Sequence, residues 1–235
     1  MLELTNVHTY YDKSHVLQNV SMEVGKGQIV GLLGRNGVGK STTLKSIIGI
    51  VPPNSGSIRF KGAELVGLKS HQIARLGIGY VPEDRRIFPT LTVRQNLLMG
   101  MKPGKKGRED TGWSIEKVYH CFPRLRQRDS FKGATLSGGE QQLLTIGRTL
   151  MGDPQLILLD EPTEGLAPQI VETVVSVIEE IHRAGTSVLL VEQSMEVIME
   201  LAHAVLVMNK GEIVFKGMPD ELRSRPDVVE RYLEI

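Results

Sequence analysis

The apolar run QIVGLLG at residues 28–34 passes directly into GRNGVGKS at 34–41, and a stretch with helical spacing follows. A continuous apolar segment of strand length suits a strand buried on both faces, as in a parallel sheet covered by helices. The glycines point to chemistry as well as fold. Glycine, four residues, glycine, lysine, serine is the spacing of a loop whose backbone N–H groups face a phosphate at a helix start. Gly34, Arg35, Asn36, Gly37, Val38 and Gly39 form that loop, and the N–H groups of Gly37 to Lys40 are placed to wrap a β-phosphate. Lys40 would reach the β- and γ-oxygens, Ser41 would ligate Mg2+, and Thr42 would lie near the α-phosphate. The helix is expected from Gly39 through about Ile50, ended by VPPNSG.

A phosphate cradle of this kind needs a metal partner and a group that activates water. LILLDE at 156–161 supplies both on one apolar strand, which delivers Asp160 and Glu161 to the carboxyl edge of a sheet. Asp160 is expected to hold Mg2+ and Glu161 to act as general base. Acids at a strand end are common, but joined to the loop they imply nucleotide hydrolysis.

The rest of the chain fits this frame. LELTNVHTYY and VLQNVSMEV alternate apolar with polar residues and read as half-buried antiparallel strands, with SGSIRFKG as another strand and turn. From about 84 to 150 the character becomes helical, with helices expected over Arg94–Gly100, Ile115–Phe122 and Glu140–Met151 and a basic linker, KPGKKGRED, between the first two. Strand and helix alternation then returns through QLILLD, IVETVVSVIEEIHRAG, SVLLVEQ, MEVIMELA, HAVLVMN and EIVFKG. A formal net charge of +1 leaves no whole-molecule field to draw nucleic acid or lipid. The single cysteine, Cys121, fits a reducing compartment. No apolar run approaches the roughly 20 residues of a membrane-spanning helix, and the first residues do not resemble a cleaved leader.

A second glycine-rich helix start, LSGGEQQLL at 136–144, is harder to place in a chain that already has a phosphate loop. Standing between GRNGVGKS and LILLDE, it makes the whole chain resemble the ATP-binding cassette (ABC) family. The resemblance implies an α/β fold of the P-loop NTPase type. A parallel-sheet core would carry an N-terminal antiparallel β subdomain and a helical insert, residues 1–235 forming one cassette. It also implies that two cassettes pack head to tail, so that Ser137, Gly138, Gly139 and Glu140 cover the γ-phosphate of ATP held by a partner's loop; the other reading of these residues is a tight helix start. Tyr11 falls where the family stacks an aromatic on adenine, with Tyr10 or an ordinary strand tyrosine as alternatives. Glu83 stands where the family usually has a glutamine near the metal and the membrane subunit, and Gln193 where it usually has a switch histidine. An amide can donate to a phosphate oxygen but cannot become cationic, so turnover at this site is expected to be slower. Ala167 replaces an aspartate that many cassettes use across the dimer.

YVPEDRRIFPTLTVRQNLLMG, LSGGEQQLLTIGR, DEPTEGLAP and LLVEQ together resemble ATP-binding subunits of branched-chain amino acid uptake systems, and relatives importing urea or short amides share much of the pattern. The implied partners are two transmembrane permease subunits, a second, different cassette and, indirectly, a solute-binding protein, at the cytoplasmic face of the plasma membrane. A soluble ABC ATPase acting on nucleic acid or the ribosome is disfavoured by the neutral charge and by the lack of a coiled coil or second cassette. The six histidines show no metal-ligand spacing, Trp113 is expected to pack the insert, with anchoring of a membrane subunit as the alternative, and RLRQRD at 124–129 reads as a solvated face, with a docking surface as the alternative.

Overall fold

A computed structural model describes residues 1–102 and 112–233. Two sheets carry the chain. The N-terminal one is antiparallel and four-stranded, from β1 (Leu2–Tyr11), β2 (Ser14–Val24), β4 (Ser55–Phe60) and the short β5 (Ala63–Glu64), in the order β2-β1-β4-β5. The second is six-stranded, with β3 (Ile29–Leu33), β6 (Ile78–Val81), β7 (Leu156–Asp160), β8 (Ser187–Glu192), β9 (Ala204–Asn209) and β10 (Glu212–Gly217) in the order β10-β9-β3-β8-β7-β6. Strands β9, β3, β8, β7 and β6 are mutually parallel, and β10 closes one edge as an antiparallel hairpin with β9.

The continuous apolar runs are explained by what covers the second sheet. On β7, Leu156 and Leu158 point into one core, shared with β1, β2, β4 and helix α1 (Lys40–Ile47), while Ile157 and Leu159 point into another. That second core is built with helices α3 (Val93–Met99), α4 (Ile115–Cys121), α6 (Gly138–Leu150), α7 (Pro168–Arg183) and α8 (Met195–Leu201). With both faces covered no polar alternation is needed, and all five β7 residues are buried.

Helix α1 stops at Ile47, three residues short of the expected end, because Gly49 turns the chain with φ +69. A side chain on Gly49 would also run into the Leu68 carbonyl oxygen, 2.7 Å from an ideal Cβ. The helical stretch between 84 and 150 contains the three expected helices and a fourth, α5 (Pro123–Gln127), inside the arginine cluster. Proline at its first position suits a helix start. Arg126 and Arg128 make loose pairs with Glu116 and Glu140 at 3.8 Å, as a solvated face does. Trp113 is buried, its ring under the Lys117 ammonium. The linker KPGKKGRED lies, apart from Lys102, outside the described residues.

Three short helices carried no signal strong enough to be read: α2 (Ser70–Leu76), α9 (Pro219–Arg223) and α10 (Pro226–Tyr232), each with a single buried residue. Helices this short are held by packing rather than by their own pattern. No helix among the described residues is long and apolar enough to cross a membrane.

Leu158, fully buried between the sheets, is the position where lost packing should be felt most directly. Leu158→Ala is expected to cost about 2–5 kcal/mol, lowering the thermal midpoint by roughly 5–15 °C in a scan of the purified chain.

Candidate active site

Parallel strands β3, β8 and β7 end side by side, and each delivers one part of the site from its carboxyl edge. From β3 the chain runs through Gly34–Gly39 into α1. Gly39 sits at φ +115 with Leu17 and the Val16 carbonyl 3.0 and 3.2 Å from where a Cβ would lie, so this turn admits glycine for both backbone and space. Lys40, only 3% exposed, folds back over its own loop. Its ammonium donates to the carbonyl oxygens of Gly34 at 2.7 Å and Arg35 at 2.9 Å and pairs with Glu161 Oε1 at 3.0 Å.

From β7 come Asp160 and Glu161. Ser41 donates its hydroxyl to Asp160 Oδ1 at 2.8 Å, and Tyr80 donates to Oδ2 at 2.9 Å. Burial nonetheless raises the Asp160 carboxyl above its ordinary value, outweighing those two donors. Glu161 leaves the strand at φ +47, its N–H held by the Val191 carbonyl at 2.9 Å. Burial pushes its carboxyl up, but hydrogen bonds from the Gln193 amide, Glu164 and Lys40, with the Lys40 charge, prevail and hold it below the ordinary range. Gln193, just beyond β8, donates its side-chain amide to Glu161 Oε2. Glu83 lines the same cavity of about 300 Å3 as Lys40, Ser41, Thr42 and Glu161. Its carboxyl is raised by burial and by the neighbouring charges of Glu161, Asp160 and Asp84.

The glycine-rich start of α6 lies elsewhere: none of residues 136–140 lines that cavity. Ser137 caps the helix, accepting from the Glu140 N–H at 3.3 Å, while Glu140 accepts from the Ser137 N–H at 2.9 Å. The two glycines are places of close approach. A Cβ on Gly138 would lie 2.4 Å from the Arg85 guanidinium, and one on Gly139 3.1 Å from Ile170. Tyr11 is exposed at the end of β1, and Thr9, two residues before it, meets Ser46 of α1 through its hydroxyl at 3.1 Å. Tyr10 is stacked on His15 with ring centroids 4.1 Å apart.

Several polar groups at the site were not singled out in the sequence. Tyr80 holds Asp160, Glu164 adjoins Glu161, and buried Glu192 accepts from Thr163. The signal for Glu192 was its place beside Gln193 at a strand end; Tyr80 gave none, since a tyrosine in a strand is ordinary. Among the described residues no group of three or more His, Cys, Asp or Glu side chains is arranged to hold a metal. Ser41 and Asp160 offer hard oxygen donors, which suit Mg2+ when most of its remaining ligands are phosphate oxygens and water.

A family profile described as ABC transporter matches residues 17–164, from β2 through the phosphate loop and the α6 start to just past Glu161. The chain belongs to the ABC transporter family. Over 233 residues it is 46% identical to the high-affinity branched-chain amino acid transport ATP-binding protein BraG of Pseudomonas aeruginosa, with 99% of each chain covered. The probable branched-chain amino acid transport ATP-binding protein LivF of Archaeoglobus fulgidus is 33% identical over 223 residues, covering 94% of each. An ABC transporter cassette solved in its ADP conformation superposes with a TM-score of 0.81 at 27% identity, covering 98% of this chain and 97% of the other. The fold is that of an ABC cassette.

Tyr80 gives this ABC site a test that needs no nucleotide. Tyr80→Phe removes one of two donors to a buried carboxylate and is expected to destabilise the purified protein by about 1.5–3 kcal/mol in urea unfolding, with the fold unchanged by circular dichroism.

Proposed function

We propose that this chain hydrolyses ATP to power an importer of branched-chain amino acids. The observation that carries the reading is the position of Glu161, gripped between the Lys40 ammonium and the Gln193 amide at the mouth of the phosphate loop. Lys40 pairs with Glu161 at 3.0 Å. Phosphate oxygens compete for that ammonium, and once Lys40 turns to them Glu161 loses a cation and becomes the stronger base. Glu161 then takes the proton of the attacking water, and Gln193 keeps the carboxylate in place while donating no charge of its own. The loop N–H groups and Lys40 bind the triphosphate, and Tyr11 stacks on adenine. Ser41 and Asp160, with Glu83 alongside, would hold Mg2+, which would supply positive charge against the triphosphate.

The second half of the site comes from a partner. Ser137, Gly138, Gly139 and Glu140 reach the γ-phosphate of ATP on another, different cassette, so ATP joins the two chains and hydrolysis lets them part. Residues 1–235 act as one such cassette, with the helical subdomain at about 84–150. The membrane end of the machine is supported by an apolar groove of about 690 Å3 between the Glu83 loop and α3. Ile50, Phe88 and Met99 stand at it 50%, 43% and 61% exposed, and it suits an apolar helix from one permease subunit, the second of the two permease subunits meeting the partner cassette. A solute-binding protein delivers the cargo, which never touches this chain, and the complex sits at the cytoplasmic face of the plasma membrane. The choice of branched-chain amino acids therefore rests on likeness along the whole chain to BraG, not on any pocket.

Glu161→Gln is expected to lower turnover at least about 100-fold and to trap an ATP-dependent dimer with the partner cassette on gel filtration. A variant that turns over at the parental rate, or stays monomeric with ATP and its partner, would overturn the shared site. Separately, Met99→Glu should abolish co-purification with the permease subunits while nucleotide affinity stays within about twofold of the parent.

A further inference from the structure

Glu192 is the last residue of β8, and at 2% exposure it is among the most deeply buried carboxylates described. The three hydrogen bonds to its carboxylate all come from donors. Oε1 accepts from the Thr163 backbone N–H at 3.0 Å and from the Thr163 hydroxyl at 2.7 Å, and Oε2 accepts from the Gln193 backbone N–H at 3.3 Å. Three donors and no acceptor match an ionised carboxylate, which is acceptor-only. Burial works against that charge and raises the group's pKa, as does Glu161 nearby. Glu192 is thus no attractive partner for Glu161. Its contribution runs through the backbone on either side.

Those two backbones carry the reaction's parts. Thr163 stands two residues beyond Glu161 on the loop that leaves β7, and Gln193 follows Glu192 directly. The Gln193 side chain returns to Glu161, closing a ring of contacts: Glu161, the chain to Thr163, Glu192, Gln193 and Glu161 again. Glu161 itself is tied to β8 by its N–H to the Val191 carbonyl at 2.9 Å. We propose that Glu192 is a positioning residue for ATP hydrolysis, a clamp that fixes the Thr163 and Gln193 backbones so that the Gln193 amide meets the Glu161 carboxylate. The proposal rests on the reading of Glu161 as general base and Gln193 as its support.

Glu192→Gln tests it, because the variant keeps size and one acceptor but turns an NH2 group toward an N–H at either Thr163 or Gln193. In the assembled transporter, Glu192→Gln is expected to lower kcat about tenfold with KM for ATP within about twofold of the parent. In a Gln193→Ala background the same change should lower kcat by less than about twofold, since the support it positions is already gone. Hydrogen exchange at the Thr163 and Gln193 amides should quicken together. Parental kcat in Glu192→Gln, or losses that multiply in the double variant, would overturn the proposal. Should Glu192→Gln not fold, Thr163→Val replaces it, removing one donor, with an expected kcat loss of about threefold and the same non-additivity. If Glu161→Gln and Gln193→Ala both turn over normally, the catalytic reading itself fails and takes this one with it. If both are impaired and only the coupling is missing, the clamp alone is wrong.

Discussion

The contact between Lys40 and Glu161 ties together elements more than a hundred residues apart in sequence, and most of the site's geometry follows from it. Both side chains are almost fully enclosed, 3% and 5% exposed, so neither charge can be met by water. Taking either from water costs several kcal/mol, and the cost is offset only when each finds its partner and its hydrogen bonds together. The structure meets that condition with the Gly34 and Arg35 carbonyls for the ammonium and the Gln193 amide for the carboxylate. A fold that separated the β3 loop from the β7 edge would strand two buried charges. The pair is made where β3, β8 and β7 finish nearly level.

The two cores make that register rigid. Alternate residues of β7 enter opposite cores, so sliding the strand by one position would exchange both sets at once. The antiparallel sheet, packed over α1, fixes the helix whose first residues are Lys40, Ser41 and Thr42. In this way apolar packing sets the position of polar groups to within hydrogen-bond tolerance, and Ser41 meets Asp160 at 2.8 Å.

Much of this was legible in the sequence, for reasons that can be named. The phosphate loop is dictated by glycine spacing and by Lys40, and the buried strands by apolar runs with no polar interruption. Glu161 and Gln193 could be named, but not their contact, which depends on two loops meeting in space. Tyr80 is invisible because a tyrosine in a strand is routine until its partner is seen, and Glu192 shows only its place beside Gln193 at a strand end, not its contacts. The short helices α2, α9 and α10 were missed because one buried side chain apiece leaves no periodicity. Helix α1 was read too long because the PP of VPPNSG drew the boundary, whereas Gly49, two residues into its turn, had already set it.

The start of α6 carries its own counter-anion. With Glu140 folded onto the Ser137 N–H and Arg128 only loosely beside it, the positive end of the helix is already partly neutralised within the chain. A stray sulfate or inorganic phosphate in solution gains little there, since it must displace an intramolecular carboxylate at high local concentration. Such a helix end discriminates against small free anions, and an anion wins there only when it is presented with the rest of a bound surface.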